Sequence, residues 1–322
     1  KYTQNYDELN ALLEKRSADQ LLQGSGLTKE DLQALLEAYS AAKNPLLVLG
    51  GRNLSGEATA QLTNLALMLG KIGAPRQGVI DLRGRCNGQG HFDMGVAPGY
   101  LPGYQQIEDA KIREKFNRAW RAFIPSAAGK NVEQVMDGLE EGLIKGIFVF
   151  GEDPQPEAVE KLAKAELLVV QDLFLTETAR RAHVVLPAVS FTETEGSFIN
   201  SERRVQQVNP ALHPLTGRQN WQVLLTLMAE MGYIGNPASP QQIWAEMTAL
   251  TPAFFGVDYD TLKEAPYWPA GKPVCQIETM LAAVGRLKFI LPSGENPAFI
   301  ERESFDSVGK WFKAFLWEKG IG

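Results

Sequence analysis

The order of apolar and polar positions along the chain predicts short strands that alternate with helices. Apolar runs typical of buried strands occupy residues 46–50, 146–151, 166–172 and 183–188. Apolar residues recur at helical spacing in residues 28–43, 108–122, 132–143, 219–232 and 240–250. The first of these helices has a plausible N-cap in Thr28, with Asp31 three residues later. Strands that alternate with helices indicate βαβ units and therefore a parallel sheet.

The predicted fold class is α/β: a parallel-sheet dinucleotide-binding (Rossmann-like) domain with a helical N-terminal lead and a helical C-terminal extension. We expect the lead at residues 1–45, the dinucleotide-binding domain at 46–195 and the mainly helical extension at 196–322. In the tail of the extension, one helical face would carry Phe305, Val308, Trp311, Phe312 and Phe315.

Composition is that of a soluble globular protein and excludes several functions. Hydrophobic residues make up 44% of the 322 residues and charged residues 22%. The net charge of -6 argues against a nucleic-acid partner, because such partners need a broad basic surface. No stretch reaches the roughly 18 apolar residues of a membrane span. The polar N-terminus does not have the pattern of a targeting peptide.

The cysteine content limits the metal chemistry that this chain can perform by itself. Cys86 and Cys275 are too few for a disulfide framework, which indicates a reducing compartment and a cytoplasmic location. Two cysteines cannot ligate a tetrathiolate iron–sulfur cluster. No CxxC or HxxxH spacing is present for a zinc site, so we predict no metal ligand in this chain.

Polar residues follow the strand at residues 146–151, at the carboxyl edge where open α/β sheets bind ligands. Gly151, Glu152 and Asp153 form this turn, and Pro154 can open the next helix. Asp153 would then be the N-cap, beside free backbone N–H groups that can bind a pyrophosphate or a ribose. A well-capped turn without any ligand explains the same spacing.

A second polar turn follows the strand at residues 166–172. Gln171 and Asp172 end this strand, and Thr176 comes shortly after it. A carboxylate at this position can accept hydrogen bonds from ribose hydroxyls or from a guanine edge. The alternative is that Asp172 is the ordinary N-cap of the short helix that follows.

A glycine-rich segment at residues 78–104 lacks clear periodicity, which is typical of a functional loop. Arg83, Arg85, Asn87 and Gln89 stand among its glycines and could together hold an anion. His91 could move a proton, although a packed or surface histidine is the commoner case. We interpret Cys86 as a side chain that is neither a metal ligand nor a nucleophile.

Two further motifs are open to two interpretations each. Gly51 lies in a glycine pair after the strand at residues 46–50, which allows close backbone approach but equally forms a tight turn. Glu195 and Gly196 follow Glu193, and paired acids can perform acid–base chemistry. The alternative for this acidic segment is a salt-bridged turn, because Glu202 stands beside two arginines.

The order of these motifs resembles one family. Residues 82–90, 93–95, 102–105, 151–154, 170–172, 176–179, 185–187, 195–196, 200–206, 220–221 and 231–233 follow one another as in the catalytic subunit of molybdenum- or tungsten-dependent formate dehydrogenases. The series also resembles the related large iron–sulfur subunit of NADH–quinone oxidoreductase. The resemblance covers about residues 28 to 250 and is more specific than any single motif, because it depends on the order of all of them.

The resemblance implies a cofactor, bis(molybdopterin guanine dinucleotide) with Mo or W, and a 4Fe-4S cluster that this chain does not ligate. Family members have an iron–sulfur domain, two α/β dinucleotide domains and a C-terminal β-barrel. The lead at residues 1–45 would be the end of a neighbouring α/β domain. The residues expected to bind the cofactor are Gly51, Arg83, Arg85, Asn87, Gln89, Gly151, Glu152, Asp153, Gln171, Asp172, Thr176, Glu195 and Gly196.

The resemblance also implies an activity: oxidation of formate to CO2, with electrons passed to iron–sulfur clusters. Arg83 matches the arginine that orients formate. His91 is the candidate proton carrier on its side-chain chemistry alone. Arg85 departs from the family pattern, which has glutamine there. Expected partners are other domains or subunits of a redox complex, including iron–sulfur and NAD(P)- or quinone-reducing subunits. Such partners could place the protein at the inner membrane, and this chain alone would be inactive.

Two other functions fit the same sequence. The first is an electron-transfer scaffold of NADH–quinone oxidoreductase whose cofactor site is degenerate or empty, with which Arg85 is compatible. The second is a plain nucleotide-binding module, which would bind GDP or GTP as an isolated chain. Metal and guanine content of the full-length protein distinguishes the first of these from an oxidoreductase.

Overall fold

The computed structural model describes residues 3–15, 17–50, 54–72, 76–82, 84–251, 254, 257–263, 272–273 and 287–288. In this part of the chain the helices are α1 (Tyr6–Leu13), α2 (Ala18–Ser25), α3 (Lys29–Ala41), α4 (Gly56–Met68), α5 (Gly88–Asp93), α6 (Ala110–Trp120), α7 (Val132–Glu140), α8 (Pro156–Leu162), α9 (Glu177–Arg181), α10 (Asn220–Glu230), α11 (Pro240–Leu250) and α12 (Tyr259–Lys263). The strands are β1 (Thr3–Gln4), β2 (Leu46–Leu49), β3 (Gly78–Asp81), β4 (Tyr100–Leu101), β5 (Gln105–Gln106), β6 (Gly146–Phe150), β7 (Leu167–Asp172), β8 (Val184–Pro187), β9 (Gly196–Ile199), β10 (Arg204–Val208), β11 (Lys272–Pro273) and β12 (Leu287–Lys288).

The chain divides into two compact units. Unit 1 comprises residues 1–85 and 276–322, and unit 2 comprises residues 86–275. The sequence-based division at residues 45 and 195 stays a prediction. The expected tail helix face at residues 305–315 lies outside the described residues, as do Gly51 and Arg83.

Unit 1 contains a small parallel βαβ element. Strands β2 and β3 pair in parallel, and α4 is the helix that connects them. Helix α3 begins as the sequence predicts, because the side chains and backbone N–H groups of Thr28 and Asp31 form a reciprocal capping box. A parallel pair of short strands, β1 and β12, completes the sheet structure described for this unit.

Unit 2 is built around a parallel sheet in the order β6-β7-β8, which confirms the predicted α/β class. One face of this sheet packs against α7, α8 and α9. Leu168 and Val170 of β7 are fully buried there, against Leu139 and Leu162 of the helices. Each fully buried leucine or valine side chain contributes about 1.5–3 kcal/mol, so this contact is a main source of the stability of the sheet. The registers place the carboxyl ends of all three strands at one edge.

An antiparallel hairpin of β9 and β10 follows the sheet, and the sequence pattern did not predict it. Residues 200–203 form its turn, and Arg204 Nε lies 3.8 Å from Glu202 Oε2, so the predicted salt-bridged turn is confirmed. The hairpin buries Ile199 and Val205 against Trp244 of α11. Helices α10 and α11 occur where helical spacing predicted them.

Helix α5 is tied to this hairpin at both of its ends. At the start of α5, the backbone N–H of Ile199 donates to Asn87 Oδ1 over 2.9 Å. At its end, Asp93 is completely buried and lies 3.3 Å from Arg203 Nη2 in the hairpin turn. Gln89 Nε2 donates to the same Asp93 oxygen over 2.8 Å. Asn87 and Gln89, both expected to bind a cofactor, therefore use side-chain atoms to hold α5 in place.

We predict that Gly90→Ala lowers the free energy of unfolding by about 1–3 kcal/mol, the cost of a lost hydrogen bond to a buried group. A Cβ at Gly90 would lie 2.1 Å from Asn87 Oδ1 and would displace the amide that accepts from Ile199. Urea unfolding measures the change. Gly56→Ala is the matched control, because a Cβ at Gly56 in the first turn of α4 meets open space. We expect it to be neutral or stabilising by up to about 1 kcal/mol; equal losses in both variants would contradict the prediction.

Candidate functional site

The carboxyl edge of the β6-β7-β8 sheet brings together the residues that were predicted after two of its strands. Gly151, Glu152 and Asp153 follow β6, and the backbone N–H of Gly151 donates to Gln171 O over 2.8 Å. Gly151 has φ 61 and open space around its Cβ position. Glycine adopts this left-handed conformation without the steric cost that a side chain would add, so it suits this turn. Glu152 is exposed at this edge.

The predicted role of Asp153 as N-cap of the following helix is wrong. Helix α8 begins at Pro156 with Gln155 as its N-cap, so the helix opens at the second proline of this segment and not at Pro154. Instead, Asp153 Oδ1 accepts from the backbone N–H of Thr178 over 3.0 Å and from Thr178 Oγ1 over 2.7 Å. These hydrogen bonds at the start of α9 hold the pKa of Asp153 below its ordinary value.

The alternative that Asp172 caps the short helix after β7 is also wrong. Thr176 is the N-cap of α9, and its side chain accepts from the backbone N–H of Ala179 over 3.1 Å. Asp172 Oδ1 accepts from the backbone N–H of Phe174 over 3.1 Å, which shapes the turn directly after the strand. The Asp172 side chain thus remains half-buried at the carboxyl edge.

Gln171 lies behind this edge and not on its surface. Its side chain is buried, and Nε2 donates to Pro187 O and to Asn220 Oδ1, both over 3.3 Å. Asn220 Oδ1 also accepts from the backbone N–H of Val189 over 3.0 Å. Asn220 therefore connects β7, the loop after β8 and helix α10. The sequence placed Asn220 in the family's series of motifs but gave it no role, because its partners lie far away along the chain.

A second group of predicted residues lines a cavity of about 460 Å³ within unit 2. Asn87, His91, Glu195 and Gly196 are on its wall, so the structure places these four candidates around one space. Glu195 Oε1 accepts from the indole N–H of Trp221 over 3.0 Å. This contact holds the carboxylate at the cavity.

Glu193 has a structural part in the same loop. Its Oε2 accepts from the backbone N–H and the hydroxyl of Ser190, and its Oε1 accepts from the backbone N–H of Leu215. These hydrogen bonds, led by the one from the Ser190 backbone, hold the pKa of Glu193 below its ordinary value. Glu193 and Glu195 therefore have separate partners, and they are not arranged as an acid–base pair.

Two further residues of the glycine-rich segment lie at the surface. Arg85 is exposed and belongs to unit 1, and Cys86 is an exposed free cysteine. Across the part of the chain that the structure describes, no cluster of three or more His, Cys, Asp or Glu residues could hold a metal ion. Within the same residues, no helix has the length and apolar character needed to cross a membrane.

Comparison with known proteins identifies the family to which the chain belongs. The molybdopterin oxidoreductase family matches residues 29–230. The chain therefore belongs to the molybdopterin oxidoreductase family, and this membership implies a molybdopterin cofactor. The resemblance stated from the order of its motifs is confirmed.

Two individual relatives indicate which members of the family this chain is similar to. Formate dehydrogenase H of Escherichia coli (strain K12) is 30% identical over 306 residues, which are 91% of this chain and 43% of that protein. A candidate formate dehydrogenase of Staphylococcus haemolyticus (strain JCSC1435) is 31% identical over 323 residues, which are 95% of this chain and 33% of that protein. The chain thus spans between a third and a half of the length of these relatives.

A solved structure shows the same fold at low sequence identity. Acetylene hydratase from Pelobacter acetylenicus superimposes with a TM-score of 0.57 over 96% of this chain and 48% of that chain, at 12% identity. The likeness supports the fold alone.

We predict that Asp153→Asn lowers the free energy of unfolding near neutral pH, because the amide replaces a carboxylate that accepts from Thr178. Since the folded-state pKa is depressed, this contribution is present above the ordinary aspartate pKa of about 3.9 and is lost as pH falls through the folded-state value. The difference between wild type and variant should therefore shrink on acidification.

Urea unfolding at a series of pH values tests this prediction. Asp137→Asn is the control, because Asp137 is an exposed carboxylate on α7 whose loss should not reproduce the effect. A constant difference between wild type and Asp153→Asn down to the lowest pH would contradict the assignment.

Proposed function

We propose that this chain supplies the binding surface for one guanosine arm of a molybdopterin guanine dinucleotide in a formate dehydrogenase-like oxidoreductase. The observation that carries the proposal is the carboxyl edge of the β6-β7-β8 sheet. There Gly151, Glu152 and Asp172 stand at the ends of two adjacent parallel strands. Open α/β sheets bind nucleotides at this edge.

The chemistry of this edge fits a guanosine. Glu152 and Asp172 present carboxylate oxygens, which accept hydrogen bonds from ribose hydroxyls and from the N–H groups of a guanine edge. Phe174 is 72% exposed directly after β7 and offers a ring on which a base can stack. The left-handed Gly151 leaves open space where a side chain would otherwise stand.

The pyrophosphate would need contacts other than the carboxylates that suit the guanosine. The side chains of Glu152, Asp153 and Asp172 are acidic, so they do not attract phosphate oxygens. The backbone N–H groups of Gly151 and Phe174 already donate within the protein, so a pyrophosphate would depend on other backbone N–H groups of the turns after β6 and β7. Asp153 would contribute indirectly, because its hydrogen bonds with Thr178 hold the start of α9 in place. Gln171 would contribute indirectly through its hydrogen bond to Asn220.

When bound, the molybdopterin centre accepts the two electrons that leave formate as it becomes CO2 and a proton. In the full-length protein we propose a 4Fe-4S cluster and partner domains or subunits that carry these electrons onward, in the cytoplasm. Arg83 would orient the formate carboxylate and His91 would carry a proton. The role of Arg83 rests on the family resemblance, and that of His91 rests on the ability of an imidazole to carry a proton. His91 lines the cavity of about 460 Å³.

Metal and nucleotide content of the full-length protein tests the proposal. We expect about one molybdenum or tungsten per chain by elemental analysis, together with GMP released by acid hydrolysis. Iron without either metal would contradict the proposal and would favour an electron-transfer scaffold. Binding of GDP or GTP by the isolated chain, with no GMP released from the purified full-length protein, would indicate a plain nucleotide-binding module.

We predict that Asp172→Asn weakens retention of the guanine dinucleotide about tenfold, since a charge-assisted hydrogen bond contributes about 1.5–3 kcal/mol. The measurement is GMP released per chain after exhaustive dialysis. Glu166→Gln is the matched control, because Glu166 precedes the opposite end of the same strand and pairs with Lys145 over 2.8 Å. Equal GMP content in wild type and Asp172→Asn would place the guanosine elsewhere.

A further inference from the structure

The cavity of about 460 Å³ in unit 2 has an aromatic wall that the nucleotide proposal does not use. Phe116 and Trp120 of α6, Trp221 of α10, Trp244 of α11 and Tyr259 of α12 all contribute to it. Phe116 and Trp120 pack edge to face at 4.8 Å, so their ring orientations are fixed by contact. A cavity of this size and lining suits a small organic molecule.

Two carboxylates are the acidic groups of this wall. Glu195 is held there by the indole N–H of Trp221, and Glu246 projects from α11. Among the described residues, no lysine or arginine lines the cavity. Lys115 is close to the wall, with Nζ 5.0 Å from the ring centroid of Phe116 and 2.8 Å from Leu250 O, so Phe116 already meets one cation. In the same part of the chain, neither carboxylate has an ion-pair partner within 4.0 Å.

Glu195 and Glu246 contribute to the raised pKa of one tyrosine each, in both of which burial is the main cause. Burial, and to a lesser degree the charge of Glu195, raises the pKa of Tyr259, although a hydrogen bond with Ser197 opposes the shift. Burial and the charge of Glu246 raise the pKa of Tyr233, which lines an adjacent cavity together with Glu246. Two negative charges in the wall disfavour a further anion within this space.

We propose that this cavity binds an organic ammonium ion, with aromatic rings around the cationic group and with Glu195 and Glu246 as its counter-charges. Aromatic faces attract cations through the ring quadrupole, and quaternary ammonium groups are recognised in this way. The negative wall selects a cation over a carboxylate of the same size. This site is independent of the guanosine arm, which the proposed function assigns to the carboxyl edge of the parallel sheet.

Isothermal titration calorimetry on the 322-residue chain tests the proposal with probes that share a ring and differ in charge. The probes are benzyltrimethylammonium, benzyl alcohol and benzoate. We expect saturable binding of the ammonium ion, weaker binding of the alcohol and no binding of benzoate. Circular dichroism confirms that each protein used is folded.

Variants then assign the charge selectivity to named residues. Glu195→Gln keeps an acceptor for Trp221 and removes only the charge, and Glu246→Gln alters an exposed residue, so both should fold. Each should weaken benzyltrimethylammonium binding about five-fold, as the loss of one partly exposed ion pair does. Glu230→Gln, at an exposed position on α10 away from the cavity wall, is the matched control and should bind as wild type does.

Three outcomes would overturn the proposal. They are benzoate bound as tightly as the ammonium ion, unchanged binding in both cavity variants, and no ammonium binding by the folded wild-type chain. None of these outcomes bears on the guanosine arm, which is tested separately by GMP content.

Discussion

Burial of one face of the β6-β7-β8 sheet against α7, α8 and α9 is the constraint on which the candidate nucleotide site depends. Successive residues of a strand point to opposite faces, so a slip of one residue would turn Leu168 and Val170 of β7 out of the core. The apolar contact therefore fixes the register of the sheet. That register in turn sets Gly151 and Asp172 at the same edge. The hydrophobic contact between the sheet and its helices therefore determines where the polar residues of the carboxyl edge lie.

The polar residues near both sites mostly hold backbone segments in position. Asp153 supports the start of α9, Asn87 holds the hairpin strand at Ile199, and Glu193 ties its own loop together. Such residues have side chains that look like ligand groups in sequence, because an amide or a carboxylate suits both roles. The groups left to meet a ligand are those at the rim, such as Glu152 and Asp172.

Local signals made much of the fold predictable from sequence. The capping box joins Thr28 and Asp31, which are three positions apart, and the apolar runs of β6, β7 and β8 are continuous, so both could be predicted without knowing the tertiary structure. Contacts between distant residues could not be read in this way. Asp153 and Thr178 are 25 residues apart, and Asp93 and Arg203 are 110 residues apart. The cavity could not be predicted from sequence either, because its wall includes residues from helices α5, α6, α10, α11 and α12, which are far apart along the chain.

Helix α10 begins with two adjacent residues that face different neighbours. Asn220 is bonded to Gln171 behind the sheet edge, and Trp221 holds Glu195 at the aromatic cavity. A displacement of the first residue is carried to the second through a single peptide unit, which is rigid. The position of this one helix turn therefore governs both the sheet edge and the cavity wall, so a substitution that moves the start of α10 would disturb both places.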